Sequence, residues 1–201
     1  MPAVSRSPGA RVPGRLPAVT PDPALETIAV EVEAHVGSEG WDQPVRLFAL
    51  VPTEGLAAAE PALAASLGLL LPGAPALTPV EQEGVPTGDL ADVLAGIGWP
   101  PEVAGCALVQ EIVLLPPDAE DELAEQAQAD TDLEAAAAYA AAHPDRREAR
   151  LVAAVTRAGA SAAVLRLRAG AADGEGGDGD LLTGPEIAPN LTRALAATLE
   201  A

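Results

Sequence analysis

The chain has 201 residues, enough for one domain with a substantial core, and a net charge of −19 from 30 acidic and 11 basic residues. Every base is arginine, and none falls between Arg46 and Arg146, where acids run from Glu54 to a dense stretch between Asp118 and Glu134. Such a charge distribution excludes a Schiff-base lysine and argues against a central cationic phosphate clamp, a nucleic-acid face or an anionic-membrane face, all of which need positive groups on the folded scaffold.

Residues 1–21 are rich in Pro, Arg, Ser and Gly without apolar periodicity and are expected to form a disordered leader. Asp22 then offers an N-cap with Pro23 at the first helical position. Leu25, Ile28, Val32 and Val36 recur on one helical face until Gly37, which predicts an amphipathic N-terminal helix. After a turn over 37–42, Val45 to Val51 predicts a core strand that Pro52 ends. Pro61 can open a short helix through Leu67, and Leu77 to Glu83 predicts a strand kept near an edge by Pro79.

Asp89, Leu90, Val93, Leu94 and Ile97 make a two-turn helical stripe that stops at Gly98, and Trp99, Pro100 and Pro101 force an extended crossing. Cys106 to Leu115 is nearly continuous apolar sequence interrupted by Gln110 and Glu111, the pattern of a central strand covered on both faces and stopped by Pro116 and Pro117. Residues 118–142 carry alanine and acid but few large apolar groups, so a helical excursion on the surface is expected. Arg150 to Thr156 and Ala162 to Arg168 flank a turn and predict a hairpin. A flexible acidic loop over 170–180 precedes a terminal helix with Ile187, Leu191, Leu195 and Leu199 at four-residue spacing. The order predicts an α+β class: a mostly antiparallel sheet of about five strands with helices packed on it, N- and C-terminal helices, and a single domain over 22–200.

The candidate chemistry is sparse. His143, Pro144 and Asp145 spell the tripeptide of J-domain co-chaperones, but the basic helix that should precede it is absent, and a helix terminated before proline explains it. Asp173, Glu175, Asp178 and Asp180 alternate with glycine without the spacing of a calcium loop. Cys106 has only His35 and His143 in the chain as possible bases, and a lone thiol in a central strand is ordinarily a buried one. With one cysteine and no amino-terminal apolar h-region, a cytoplasmic setting is expected. The longest uncharged stretch, Pro61 to Val80, is broken by proline and glycine and predicts no membrane span. No nucleotide-binding, redox-pair, zinc-helix or nucleophile-elbow motif occurs, so no catalytic residue, cofactor site or metal site is assigned.

Arg146, Arg147, Arg150, Arg157, Arg166 and Arg168 crowd the hairpin, either as an anion or acidic-partner site or as internal partners of Glu111 and the acidic excursion. A charge in the middle of an apolar strand must be compensated, so Glu111 is expected to be buried against Arg150 or Arg166.

Several strings taken together carry a family resemblance: Arg46-Leu-Phe-Ala-Leu-Val-Pro-Thr53, Glu60-Pro-Ala-Leu-Ala64, Leu77-Thr-Pro-Val-Glu-Gln-Glu83, Gly98-Trp-Pro-Pro-Glu-Val-Ala-Gly-Cys-Ala107, Ala142-His-Pro-Asp145 and Leu182-Thr-Gly-Pro185. Over roughly residues 22 to 200 the chain resembles an uncharacterised family of actinobacterial proteins. The resemblance implies an actinobacterial cytosolic setting and lends no activity, cofactor or catalytic residue. The leading functional expectation is a non-enzymatic interaction module, either binding another protein or pairing with itself as a homodimer, whose sheet or stiffened loop of Trp99, Pro100 and Pro101 makes the contact; the alternative for Trp99 is burial against the terminal helix. The rival is a hydrolase or transferase using Glu81, Glu83 or Glu111 with an arginine of the hairpin.

Overall fold

Asp22 accepts a hydrogen bond from Ala24 N at 2.9 Å, and Pro23 sits where a helix needs no donor, so helix α1 begins at once and spans Pro23–Gly37. The computed structural model describes residues 20–85, 88–119, 133–170, 177–184 and 186–200. Among them run β1 (Thr20–Pro21), α1, β2 (Arg46–Pro52), α2 (Thr53–Ala59), α3 (Pro61–Ser66), β3 (Leu77–Gln82), α4 (Leu90–Ala95) and β4 (Gly105–Leu114). The chain continues with α5 (Leu133–Ala142), β5 (Arg147–Thr156), β6 (Ala160–Arg168), β7 (Asp178–Thr183) and α6 (Pro189–Thr198).

The strands form one sheet in the order β7-β6-β5-β4-β2-β3, antiparallel throughout, with β1 adding a two-residue parallel pairing to β6 at Ala160 and Ser161. The fold is α+β, as expected, with more strands than the five anticipated. The additions have local causes. Thr20–Pro21, expected to end the leader, pairs with the sheet, while the rest of that leader lies outside the described residues. Asp178 to Asp180, expected within the acidic loop, begins β7, whose register to β6 is broken by a bulge between Arg166 and Arg168. Helix α2 is a further addition, because Thr53 directly after Pro52 continues into a helical turn.

Side-chain alternation divides the core into two layers. Leu25, Ile28, Val32 and Val36 of α1 bury against Phe48, Leu50, Val109, Val152 and Val164 on one face of the sheet. On the other face Leu47, Cys106, Leu108 and Val155 meet Leu94 of α4 and Leu195 and Leu199 at the C-terminal helix. Strand β4 is central, as its continuous apolar sequence predicts, and β3 is an edge. Leu50 O accepts from Ala104 N on the β4 side, so Ala49 and its partner Val80 direct their backbone groups at each other, and Pro79 turns its missing donor outward.

The register also sets two opposite ends of the sheet. Arg46, Leu114 and Arg147 lie at one end, and Pro52, Gly105 and Thr156 at the other. Gly105 is obligatory there, since a Cβ on it would stand 2.4 Å from Val155 O. Of the excursion expected over 118–142, Ala119 is buried, Leu133–Ala142 is helical, and residues 120–132 lie outside the described residues.

Candidate functional site

At the Arg46 end, the face beneath α1 turns from apolar to charged. Strand register places Glu111, Arg150 and Arg166 side by side across β4, β5 and β6. Above this row stands Glu33 of α1, whose side chain is 1% exposed. Arg150, with no exposed side-chain surface, donates from Nη1 to Glu33 Oε1 at 3.1 Å. Arg166 donates from Nη2 to Glu33 Oε2, also at 3.1 Å. One helix carboxylate thus bridges two strand guanidiniums, with Glu111 as the second negative charge beside Arg150, and among the buried polar atoms of the three side chains only Arg150 Nε lacks a partner.

The loop over 37–44 closes this cluster. Arg150 Nη2 donates to Gly40 O, and its guanidinium lies 4.4 Å from the Trp41 ring centroid, with that of Arg168 at 5.3 Å. Glu111 accepts the backbone N–H groups of Asp42 at 2.9 Å and Gln43 at 3.2 Å, and its carboxylate is 3.7 Å from Arg150. Asp42 adopts φ +67°, a conformation that Asp tolerates better than most residues, with Arg168 donating to its carboxylate. This hydrogen bond holds the Arg168 pKa above its ordinary value. Gly37 has no room for a side chain, since a Cβ there would be 2.8 Å from Arg150 Nη1.

Glu111 is therefore paired with Arg150 as expected, but it is only partly buried. The main buried partner of the hairpin arginines is Glu33, which the sequence analysis overlooked. Its signal was present: Glu33 lies between Val32 and Val36 on the inward stripe of α1, four residues after Ala29. The donors of Arg150 and Arg166 point inward to carboxylates and carbonyls, so the cluster fastens α1 and its following loop to the sheet instead of presenting an anion site.

The carboxylates considered for catalysis are separated. Arg46 grips Glu81 with two donors, at 2.6 and 2.7 Å, which holds the Glu81 pKa below its ordinary value; His35 Nε2 is 3.9 Å away. Glu111 is committed to the loop amides. Glu83 lies beyond the end of β3, in a hollow of about 290 Å³ with Trp99 and Pro100. Cys106 is fully buried, 3.9 Å from Thr198 Oγ1, and burial pushes its pKa up to about 11. His143 accepts from Asp145 N through Nδ1 at 3.2 Å, a local turn beyond α5. Asp173 and Glu175 lie outside the described residues.

The structure turns Trp99 inward. Its indole is 9% exposed, and Nε1 donates to Thr198 Oγ1 at 3.0 Å. Arg157, just beyond β5, fixes this segment by donating to Trp99 O, Pro100 O, Val103 O and Leu199 O. Only Pro100 and Pro101 of the expected anchor face solvent.

The exposed apolar surface lies elsewhere. Among the described residues seven large hydrophobic side chains are exposed, and four of them, Leu63, Leu67, Leu70 and Leu71, fall within nine residues at the Pro52 end of the sheet. The backbone there is formed, with Leu67 N bonded to Leu63 O, Leu69 N to Ala64 O and Leu71 N to Gly68 O. Ala64 is fully buried and anchors the turn beneath the leucines. The sequence reads this stretch as a short helix opened by Pro61 and as an interrupted apolar run, and neither reading reports which side chains stay exposed. No described helix is long and apolar enough to cross a membrane.

Among the described residues, an α+β sheet packed by α1 on one face and by α4 and α6 on the other, strapped by a buried arginine–glutamate cluster, is the class that this geometry defines. The chain belongs to the PPA1309-like protein family, whose model matches residues 25–200. No curated protein and no solved structure matches it.

Proposed function

We propose that this protein is a non-enzymatic interaction module and that its contact surface is the leucine turn over residues 63–71, with the Trp99 segment as internal support. One observation carries this reading: the exposed large apolar side chains concentrate on one hydrogen-bonded turn, whereas isolated exposed leucines would need no explanation. The backbone is already ordered, so a partner gains apolar contact without the cost of fixing the turn. A cytoplasmic setting fits the lone buried Cys106.

The test is site-specific photo-crosslinking in cells. A photoreactive residue at position 67 or 70 is expected to give a discrete adduct that the same residue at position 146, at the far end of the sheet, does not give. Equal labelling from both positions, or none from either leucine position, overturns the proposal.

A further inference from the structure

We infer that the leucine turn docks a basic amphipathic segment of another protein, an inference that rests on the interaction reading above and names the chemistry of the partner. The apolar half of the argument is the stripe itself. Leu63 and Leu67 are one helical turn apart and, with Leu70 and Leu71, are 46–67% exposed. The apolar stripe of a partner helix would cover them.

The charged half comes from the carboxylates nearest them along the chain. Glu60 stands three residues before Leu63 at the start of α3, Glu54 lies in the preceding helix, and both are exposed. From residue 47 to 145 the chain has no lysine or arginine, so no cation near the turn in sequence neutralises this rim. A second copy of the chain would bring another net charge of −19 to the contact, and an anionic lipid surface would likewise be repelled. A segment whose leucines are flanked by arginine or lysine satisfies both halves, the flanks steering encounter and the stripe holding it. The open edge of β3 is a weaker site for an added strand, because Pro79 removes a donor from its outer side.

The experiment is fluorescence anisotropy on the full chain with two helical probe peptides of identical leucine stripe, one flanked by arginine and one by glutamine. The arginine peptide is expected to bind, and to bind about tenfold more weakly to the variant carrying Leu67→Ser and Leu70→Ser. A similar loss is expected for the glutamine peptide, and a smaller one for Glu54→Gln with Glu60→Gln. Circular dichroism melts confirm that each variant is folded, with Leu71→Ser alone as the substitute should the double variant unfold.

Unchanged affinity in the leucine variant would show attraction by bulk charge only and overturn the inference. Equal binding of the glutamine peptide would overturn the charge requirement. Leucine-dependent self-association in sedimentation, or leucine-dependent flotation with neutral phosphatidylcholine vesicles, would give the surface to a second copy or to lipid and overturn it as well. Positive crosslinking at residue 67 with failure of the arginine peptide would defeat this inference alone, whereas absent crosslinking would defeat the interaction reading too.

Discussion

The two ends of the sheet invert the usual partition of side chains. At the Arg46 end, Glu33 and Arg150 are removed from water; at the Pro52 end, Leu67 and Leu71 are 56% and 67% exposed. Transfer energies oppose both placements, since a buried charge loses its hydration and an exposed leucine forgoes roughly 1.5–3 kcal/mol of burial. At the first end compensation is visible inside the molecule, in the two guanidiniums that share Glu33 and the loop that covers them. At the second end no such compensation exists within the described chain, and the proposed contact surface rests on this contrast.

The sharpest way to break the comparison is to unbalance the charged end. Glu33→Ala removes the buried carboxylate that the two guanidiniums share, leaving only Glu111 beside Arg150, and is expected to cost about 3–5 kcal/mol in urea unfolding. Replacing the pair together, Glu33→Leu with Arg150→Met, should restore most of that loss, because Arg166 is 21% exposed and can turn to solvent. A cost below about 1 kcal/mol for Glu33→Ala would show that the cluster does not hold the fold.

Trp99 tests whether the expected anchor belongs with the core. Trp99→Ala should cost about 3–5 kcal/mol by leaving a cavity against α6, and Trp99→Phe about 1 kcal/mol through the lost bond to Thr198. Pro100→Ala, on the exposed side of the same segment, should change stability by no more than about 0.5 kcal/mol. Equal, small effects from all three, measured by thermal melts, would return Trp99 to the surface.

Much of the fold was legible because its signals are local. Asp22 and Pro23 start α1, Asp89 caps α4, Pro116 follows β4, and apolar runs of strand length fill the sheet. Glu33 was not legible as a partner, because its role depends on Arg150 and Arg166 more than a hundred residues away, brought beneath it only by the register of β5 and β6. Trp99 could be read both as an anchor stiffened by two prolines and as a side chain buried against the terminal helix; the second holds, and it is decided by Thr198 and by Arg157, which no local pattern relates to it. The leucine turn was visible as residues and invisible as a surface. Exposure is a property of what fails to pack on a segment, and sequence periodicity reports only what could.

Cys106 gives a pH-dependent test of the buried side. Its thiol titrates near 11 in the fold, raised by burial from an ordinary value near 9. The fold therefore disfavours the thiolate: this contribution is fully present below pH 9 and is lost as pH rises from 9 to 11, on the order of 2–3 kcal/mol at most. Cys106→Ala should flatten that part of the stability profile in urea titrations, and native Cys106 should resist alkylation at pH 8. Rapid alkylation there, without unfolding, would show an open path to the thiol.

The smallest expected effect on stability completes the comparison. Serine at Leu63, Leu67, Leu70 or Leu71 should shift unfolding free energy by about 0.5 kcal/mol or less at each position, because roughly half or more of each side chain already faces water. The contrast is Leu50, fully buried under α1, where Leu50→Ala should cost about 2–5 kcal/mol. If serine at the leucine turn destabilised the protein as much as alanine at Leu50, those leucines would be packing within the chain and the contact surface would not exist. If it left the melt unchanged while abolishing the crosslinked adduct, then the apolar groups at this end serve association alone, and the two ends of one sheet divide stability from recognition.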